Sequence, residues 1–267
     1  MSDALFTTVI AVDANYVKQL QYSVLTWKLY RKEIFQNPLL VIMDARCLHE
    51  IISQLPRAIT THPNVSYYVW PQSETATFKN QRDRMLSAFV HVPPLEVKTP
   101  WWLKVDCDAI ALGNPAGWFD EKWFDEKCDG AGEKSKNIIV APGWNYTKPA
   151  TQPAELDAWG NSQPILSQYP ALNIPYNPEA RTISHKRFCS WVSFYNTNWS
   201  RWAAMLCDYP NIPVPSQDGF HWYVSERTGD AGRVLKVNMK SLGWTNIPKF
   251  RKLKEKVEAL MKNIETR

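Results

Sequence analysis

The chain has 267 residues, 45% of them apolar and 21% charged, with a formal net charge of +5. These values fit one large globular domain or two small ones and exclude extended disorder and collagen-like repeats. Ten glycines argue against glycine-rich phosphate loops, whereas thirteen tryptophans supply both a core and a groove able to stack on flat rings or sugar faces.

The basic excess is mild and dispersed ahead of the C-terminus. It helps hold a phosphorylated ligand without marking a nucleic-acid binder. The opening stretch MSDALFTTVIAVDANY has no basic segment and no small-residue cleavage site. No apolar run approaches the ~20 residues of a membrane span. Cys47, Cys107, Cys128, Cys189 and Cys207 are odd in number and form no C-x-x-C pair, which disfavours a disulfide framework and a cysteine zinc site. Free thiols fit a reducing compartment, so the expectation is a soluble cytoplasmic protein.

In chain order, residues 7–12 (TTVIAV) read as a buried strand and 15–30 as a helix with Leu20, Val24 and Trp27 on one face. Residues 39–43 (LLVIM) predict a second strand, 48–55 a short helix and 65–69 a third strand. Residues 80–91 place Met85, Phe89 and Val92 on a helical stripe, and 101–105 (WWLKV) predict a fourth strand. This alternation implies βαβ units, a mostly parallel sheet flanked by helices, and a ligand beyond the carboxyl ends of the strands. The second half is less regular. Residues 142–187 read as long loops rich in Pro, Asn, Gln and Ser, with a lid role expected for them. Strands are expected at 191–195 and 233–239, and helices at 199–207 and 217–227. Residues 249–267 form a basic amphipathic tail, suited to packing or to contact with a partner or an anionic membrane surface. The reading is a single domain over 1–267, with a ligand-binding half to 112, an elaborated half over 113–247 and a terminal helix from 248.

The sharpest chemical signal is Asp106-Cys107-Asp108, directly after the fourth strand. Carboxylates at i and i+2 share a side of a regular strand, and at its end both can reach one hard cation, Mn²⁺ or Mg²⁺. The structural alternative is a solvated turn, where Asp is common. Substitution of either Asp is expected to change stability little, because both sit at a strand end. Asp13 follows the first strand, with a helix-capping segment as its plainer reading, and Asp44 ends the second, with a simple turn as its plainer reading. Tyr16 follows Asn15, a good helix cap. Among Lys79, Arg82 and Arg84, Arg82 lies beside the Met85–Phe89 face and is the preferred phosphate contact.

Three ordered stretches, TTVIAVDANYVKQLQYSVLTW, KNQRDRMLSAFVHV and TPWWLKVDCDAIAL, resemble the GT-A glycosyltransferases over about residues 6–112. WVSFYNTNWSR and PVPSQDGFHWYVSER are looser echoes. The resemblance implies a Rossmann-like α/β fold and an enzyme that moves a sugar from a nucleotide-diphosphate sugar to a glycan or other hydroxyl acceptor. Asp106 and Asp108 would hold metal and diphosphate. Asp13 and Tyr16 would line the base and ribose pocket, and Asp44 would accept a base N–H. Asp218 would be the general base of an inverting reaction, with helix capping as its alternative. Trp191, Asn196 and His221 would border the acceptor, against plainer roles for Trp191 and His221 as core residues. The sequence departs from the retaining pattern H-x-x-G-x-x-K-P-W. Lys240 stands in the His place, where a cation cannot bind a metal but can contact the diphosphate. Three other readings compete. A nucleotidylyltransferase should show a glycine-rich loop after the first strand, and VDANYVKQL has none. A non-catalytic carbohydrate- or nucleotide-binding module would explain the tryptophans without a metal. A nucleic-acid binder would use the basic tail, but no basic patch lies near the tryptophan clusters.

Overall fold

The computed structural model describes residues 4–70, 81–113, 121–128, 136–142, 191–205, 230–237 and 242–246, together with 217, 220–221 and 224–225. Three parallel strands come first: β1 (Phe6–Val12), β2 (Leu39–Asp44) and β3 (Val65–Trp70). Helix α1 (Val17–Tyr30) and a short turn α2 (Glu33–Gln36) join β1 to β2, and α3 (Leu48–Gln54) and α4 (Arg57–Thr60) join β2 to β3. Helix α5 (Gln81–Glu96) then leads into β4 (Trp101–Val105), which pairs in parallel with β1. A short strand β5 (Ala109–Ala111) and helix α6 (Glu121–Cys128) follow. Beyond them lie β6 (Ile139–Pro142), β7 (Val192–Asn196), α7 (Thr197–Ala204), β8 (Val234–Val237) and β9 (Trp244–Asn246).

Among the described residues the main sheet has seven strands in the order β3-β2-β1-β4-β7-β6-β8, and β5 and β9 form a separate antiparallel ribbon. Only β7 runs against its neighbours β4 and β6. The centre of the sheet is covered on both faces, which explains why β1, β2 and β4 read as unbroken apolar runs rather than alternating ones. Successive residues nevertheless go to opposite layers. Ile10, Val41, Leu103 and Phe194 lie in the layer that holds α1 and α6, while Val9, Ile42, Trp102 and Tyr195 lie in the layer that holds α5 and α7. Strand β3 is one edge, with Tyr67 and Val69 exposed, and β8 ends the described order on the other side.

The strand positions expected from sequence hold to within a residue or two in β1 to β4 and β7. Three differences have physical causes. Helix α5 runs on past His91 through Pro93 and Pro94. The prolines remove amide donors only near its end, and the Arg201 guanidinium on α7 donates to the Pro94 and Val97 carbonyls there, at 2.9 and 2.7 Å. Helix α1 starts later than expected, and its entry is capped by Asp13 rather than Asn15. The Asp13 carboxylate accepts the amides of Asn15 and Tyr16 at 2.8 and 2.9 Å. Among the described residues, six tryptophans serve the core, while Trp191 is half-buried and Trp202 exposed. Trp27, Trp70, Trp101, Trp102, Trp199 and Trp244 are buried, and Trp27 and Trp102 place their indole N–H groups on Ala109 O and Ser200 Oγ. The expected loops over 143–187 and the tail over 249–267 lie outside the described residues.

Candidate active site

Strands β2, β1 and β4 are adjacent and parallel, so their carboxyl ends meet along one rim of the sheet. That rim carries Asp44, Asp13 and the Asp106-Cys107-Asp108 segment side by side. The last is a turn rather than a strand end. The Ala109 amide closes it onto Asp106 O at 2.9 Å, and β5 leaves in a new direction to pair with β9. Both carboxylates therefore belong to one tight turn.

Helix α1 holds this turn from behind with polar groups on its buried face. Ser23 Oγ donates to Cys107 O at 2.7 Å, and Trp27 Nε1 donates to Ala109 O at 2.8 Å. Thr26 Oγ1 accepts the Ala111 amide at 3.0 Å and donates to Ser23 O. From the other sides, the Cys107 thiol donates to Ala11 O on β1, and the Asp106 amide donates to Trp191 O beside β7. A turn so anchored keeps its acidic side chains in place before any ligand arrives.

The rim is strongly anionic. Burial pushes the Cys107 thiol well above its ordinary range, and the charges of Asp106, Asp108 and Asp13 push it further, with Lys104 opposing them. Burial also raises the Asp13 carboxyl. The Tyr16 and Asn15 amides pull it back down, and the Asp44 charge raises it again. Asp44 is buried and held by Arg46, whose backbone amide donates at 3.0 Å and whose Nη2 lies 3.1 Å from Oδ2. Lys104 lies two residues before Asp106. It is 1% exposed, lies over the Phe89 ring at 4.7 Å, and reaches Asp106 Oδ1 at 2.5 Å.

Among the described residues, no three His, Cys, Asp or Glu side chains converge as a metal cage. The donor set fits a different arrangement. Mn²⁺ or Mg²⁺ takes one or two carboxylates and completes its shell from phosphate oxygens and water. Asp106 and Asp108, on one turn at the open rim, suit a cation shared with a diphosphate.

The other expected residues divide. Tyr16 is half-buried at the entry to α1, next to the rim. Arg82 lies in the first turn of α5, and as a crossover helix between parallel strands α5 begins at the same rim. Trp191 abuts the Asp106 turn through its backbone and packs partly into the core. Asn196 does not join them. The antiparallel pairing of β7 places it opposite Trp101, at the far end of β4, where its carboxamide caps α7 at the Trp199 amide. His221 is fully buried between Trp102, Tyr195 and Trp199, with Nδ1 bonded to Gln217 Nε2 at 2.7 Å. That is the packed-core arrangement. Asp218 and Lys240 lie outside the described residues. Lys104, Ser23 and Thr26 support the rim without being expected there from the sequence. A lysine inside WWLKV and hydroxyls on the apolar stripe of α1 were the available signals.

No protein family and no curated protein sequence matches the chain. Solved structures do. Core-mannan synthase A (CmsA/Ktr4) from Aspergillus fumigatus, in its Mn/GDP form, superposes with a TM-score of 0.52 at 11% identity, over 92% of this chain and 75% of that one. The chain has the GT-A fold. A Bacillus anthracis protein described as a glucose-1-phosphate thymidylyltransferase, in complex with sucrose, matches with a TM-score of 0.50 at 12% identity, over 96% of this chain and 95% of that one. The bifunctional glycosyltransferase WbbM gives 0.49 at 13% identity over 89% of this chain, which spans 39% of WbbM. Within this GT-A fold, the acidic rim lies where open α/β sheets bind their ligands.

Proposed function

We propose that the protein transfers a sugar from a nucleotide-diphosphate sugar to an acceptor hydroxyl. The observation that carries this reading is the Asp106-Cys107-Asp108 turn, pinned by α1 at the carboxyl rim of a GT-A sheet. CmsA/Ktr4, a fold neighbour, is seen in a Mn/GDP form, which agrees with the donor chemistry of the rim. In the proposed reaction the acceptor oxygen attacks the anomeric carbon while Asp218 takes its proton, and the bond from that carbon to the diphosphate oxygen breaks. The leaving group departs with the electron pair as a nucleoside diphosphate. A divalent cation at Asp106 and Asp108 would supply charge neutralisation to that leaving group. Arg82 and Lys240 would add positive charge to the phosphates, Asp13 and Tyr16 would border the nucleoside, and Trp191 would face the acceptor. Inversion follows from a direct displacement assisted by one base. Asp44, with its carboxylate engaged by Arg46, would act on the nucleoside through that pair rather than by itself.

A panel of nucleotide sugars scored by thermal shift, with and without Mn²⁺, tests the donor. A ligand at a hundred times its Kd adds about 2.7 kcal/mol of stability. Asp218→Asn should then lower turnover by about 10²–10⁴-fold while donor binding persists, because an amide cannot accept the acceptor's proton. Early melting with retained turnover would assign Asp218 to helix capping instead. The thymidylyltransferase likeness supports a second reading, nucleotidyl transfer to a sugar phosphate. Product analysis separates the two: release of nucleoside diphosphate supports glycosyl transfer, and release of pyrophosphate supports the second. Binding without any product would leave the carbohydrate- or nucleotide-binding module.

A further inference from the structure

The D-x-D turn carries a partner that its own motif does not require. Lys104 is the fourth residue of β4, and Asp106 follows the strand's last residue, Val105. The Lys104 side chain is 1% exposed, and its ammonium lies over the Phe89 ring of α5 at 4.7 Å, while Asp106 at its tip is 30% exposed. The ammonium ends 2.5 Å from Asp106 Oδ1. A lysine sealed inside the sheet layer cannot reach a ligand on the rim. Its charge acts on the rim through Asp106.

We propose that Lys104 is a resident counter-cation of the D-x-D turn: it holds Asp106 and offsets one carboxylate charge, so that the turn receives a divalent cation together with a diphosphate rather than alone. Two effects follow from its fixed charge. A positive group this close weakens the attraction of Asp106 for a bare divalent ion, and it lowers the repulsion that an arriving diphosphate meets from Asp13, Asp106 and Asp108. Lys104 is thus a positioning residue. Its effect on metal binding stands on the ion pair alone, and the identity of the diphosphate rests on the glycosyltransferase reading.

The test uses the full chain and Mn²⁺ alone as probe, with free Mn²⁺ read by electron paramagnetic resonance. Lys104→Met keeps the length and fits the apolar sleeve around Phe89. Lys104→Gln keeps a hydrogen-bond donor without the charge, and Lys104→Arg keeps the charge. Met and Gln should each bind Mn²⁺ at least about tenfold more tightly than the wild type, the order expected for removing a unit charge close to a divalent ion in a partly screened site. Arg should match the wild type. A purely structural lysine would change the melting temperature and leave Mn²⁺ affinity alone. If Lys104→Met does not fold, Lys104→Gln gives the same reading. Mn²⁺ affinity unchanged or weaker in the uncharged variants, or raised equally in Lys104→Arg, overturns the proposal. UDP and GDP, titrated with and without Mn²⁺, form a separate arm. In metal-free buffer both uncharged variants should bind the nucleotide several-fold more weakly than the wild type. If neither nucleotide binds the wild type even with Mn²⁺, the donor reading fails, and the Mn²⁺ comparison still decides the role of Lys104.

Discussion

Asp106 and Asp108 look equivalent in the motif, yet they differ in what they hold. Asp106 is an ion-pair partner of the buried Lys104, so its loss removes that partner from a lysine packed over the Phe89 ring. Asp106→Ala should cost about 1–3 kcal/mol, below the range for fully buried pairs because Asp106 is partly solvated. Asp108→Ala should cost less than about 1 kcal/mol. Urea titration measures both, and equal losses would contradict the distinction. Adding Lys104→Met to Asp106→Ala should restore part of the stability, because the ammonium that faced Asp106 is then gone. His91 and His221 supply a pH test at the same scale. Burial lowers His91 to about 4, and burial, then Lys104 and His91, lower His221 to about 3, both from an ordinary value of 6.5. The unfolded chain takes up these protons below about pH 6.5, and the folded chain resists them until about pH 4 and 3. Stability should therefore be full above pH 6.5 and fall as the pH drops through that window. Urea midpoints from pH 7 to 4 should show a shallower fall in His221→Asn, and an identical slope would rule out His221 as a source.

At the scale of elements, α1 does more than cover the sheet. Its buried face alternates Leu20, Val24 and Trp27 with Ser23 and Thr26, and the hydroxyls and indole N–H hold the D-x-D turn and β5. At its end, Arg31 donates to Leu242 O and stacks over Trp244 at 5.0 Å, which ties α1 to the β5–β9 ribbon. Gly243 makes that approach possible. It has φ +74°, and an added Cβ would meet Gly113 O at 3.0 Å and Arg31 Nη2 at 3.2 Å. Gly243→Ala should cost about 1–3 kcal/mol from the positive φ and the crowding together. The loss should reach nucleotide binding as well, because the ribbon backs the acidic turn. Denaturation and nucleotide titration of the one variant measure both. An unchanged midpoint would show that the ribbon accommodates a side chain.

For the whole molecule, one sheet separates two apolar layers, and β1, β2 and β4 are buried from both sides. Amides in these strands should exchange with solvent only on global unfolding, while the short β5–β9 ribbon opens earlier. Hydrogen exchange across sub-denaturing urea should order them so. Comparable rates for β1 and β9 would show that the ribbon belongs to the central cooperative unit. Addition of a bound nucleotide with Mn²⁺ should slow exchange at the carboxyl ends of β1, β2 and β4 more than at their amino ends.

The strand–helix alternation to β4, the buried strands themselves and the acidic residues after them were legible in the sequence. Each depends on local periodicity, or on a turn residue next to an apolar run, as in TTVIAV-Asp13 and WWLKV-Asp106. The reversal of β7 was not legible. WVSFYN reads the same in either direction, yet its antiparallel pairing carries Asn196 away from the rim and brings Trp191 to it. The short strands β5, β6 and β9 have too few residues to show a period, and each is stabilised by a partner distant in sequence. The ion pair of Lys104, the Arg46 clamp on Asp44 and the burial of His221 were not legible either: both ion pairs join residues only two apart, but the packing around them decides whether the side chains meet. The sequence by itself determined which residues could form a parallel α/β sheet and where its acidic rim would lie. Only the tertiary structure decided which of those charges are compensated, because compensation depends on which side chains the packed layers bring within a few ångströms of each other.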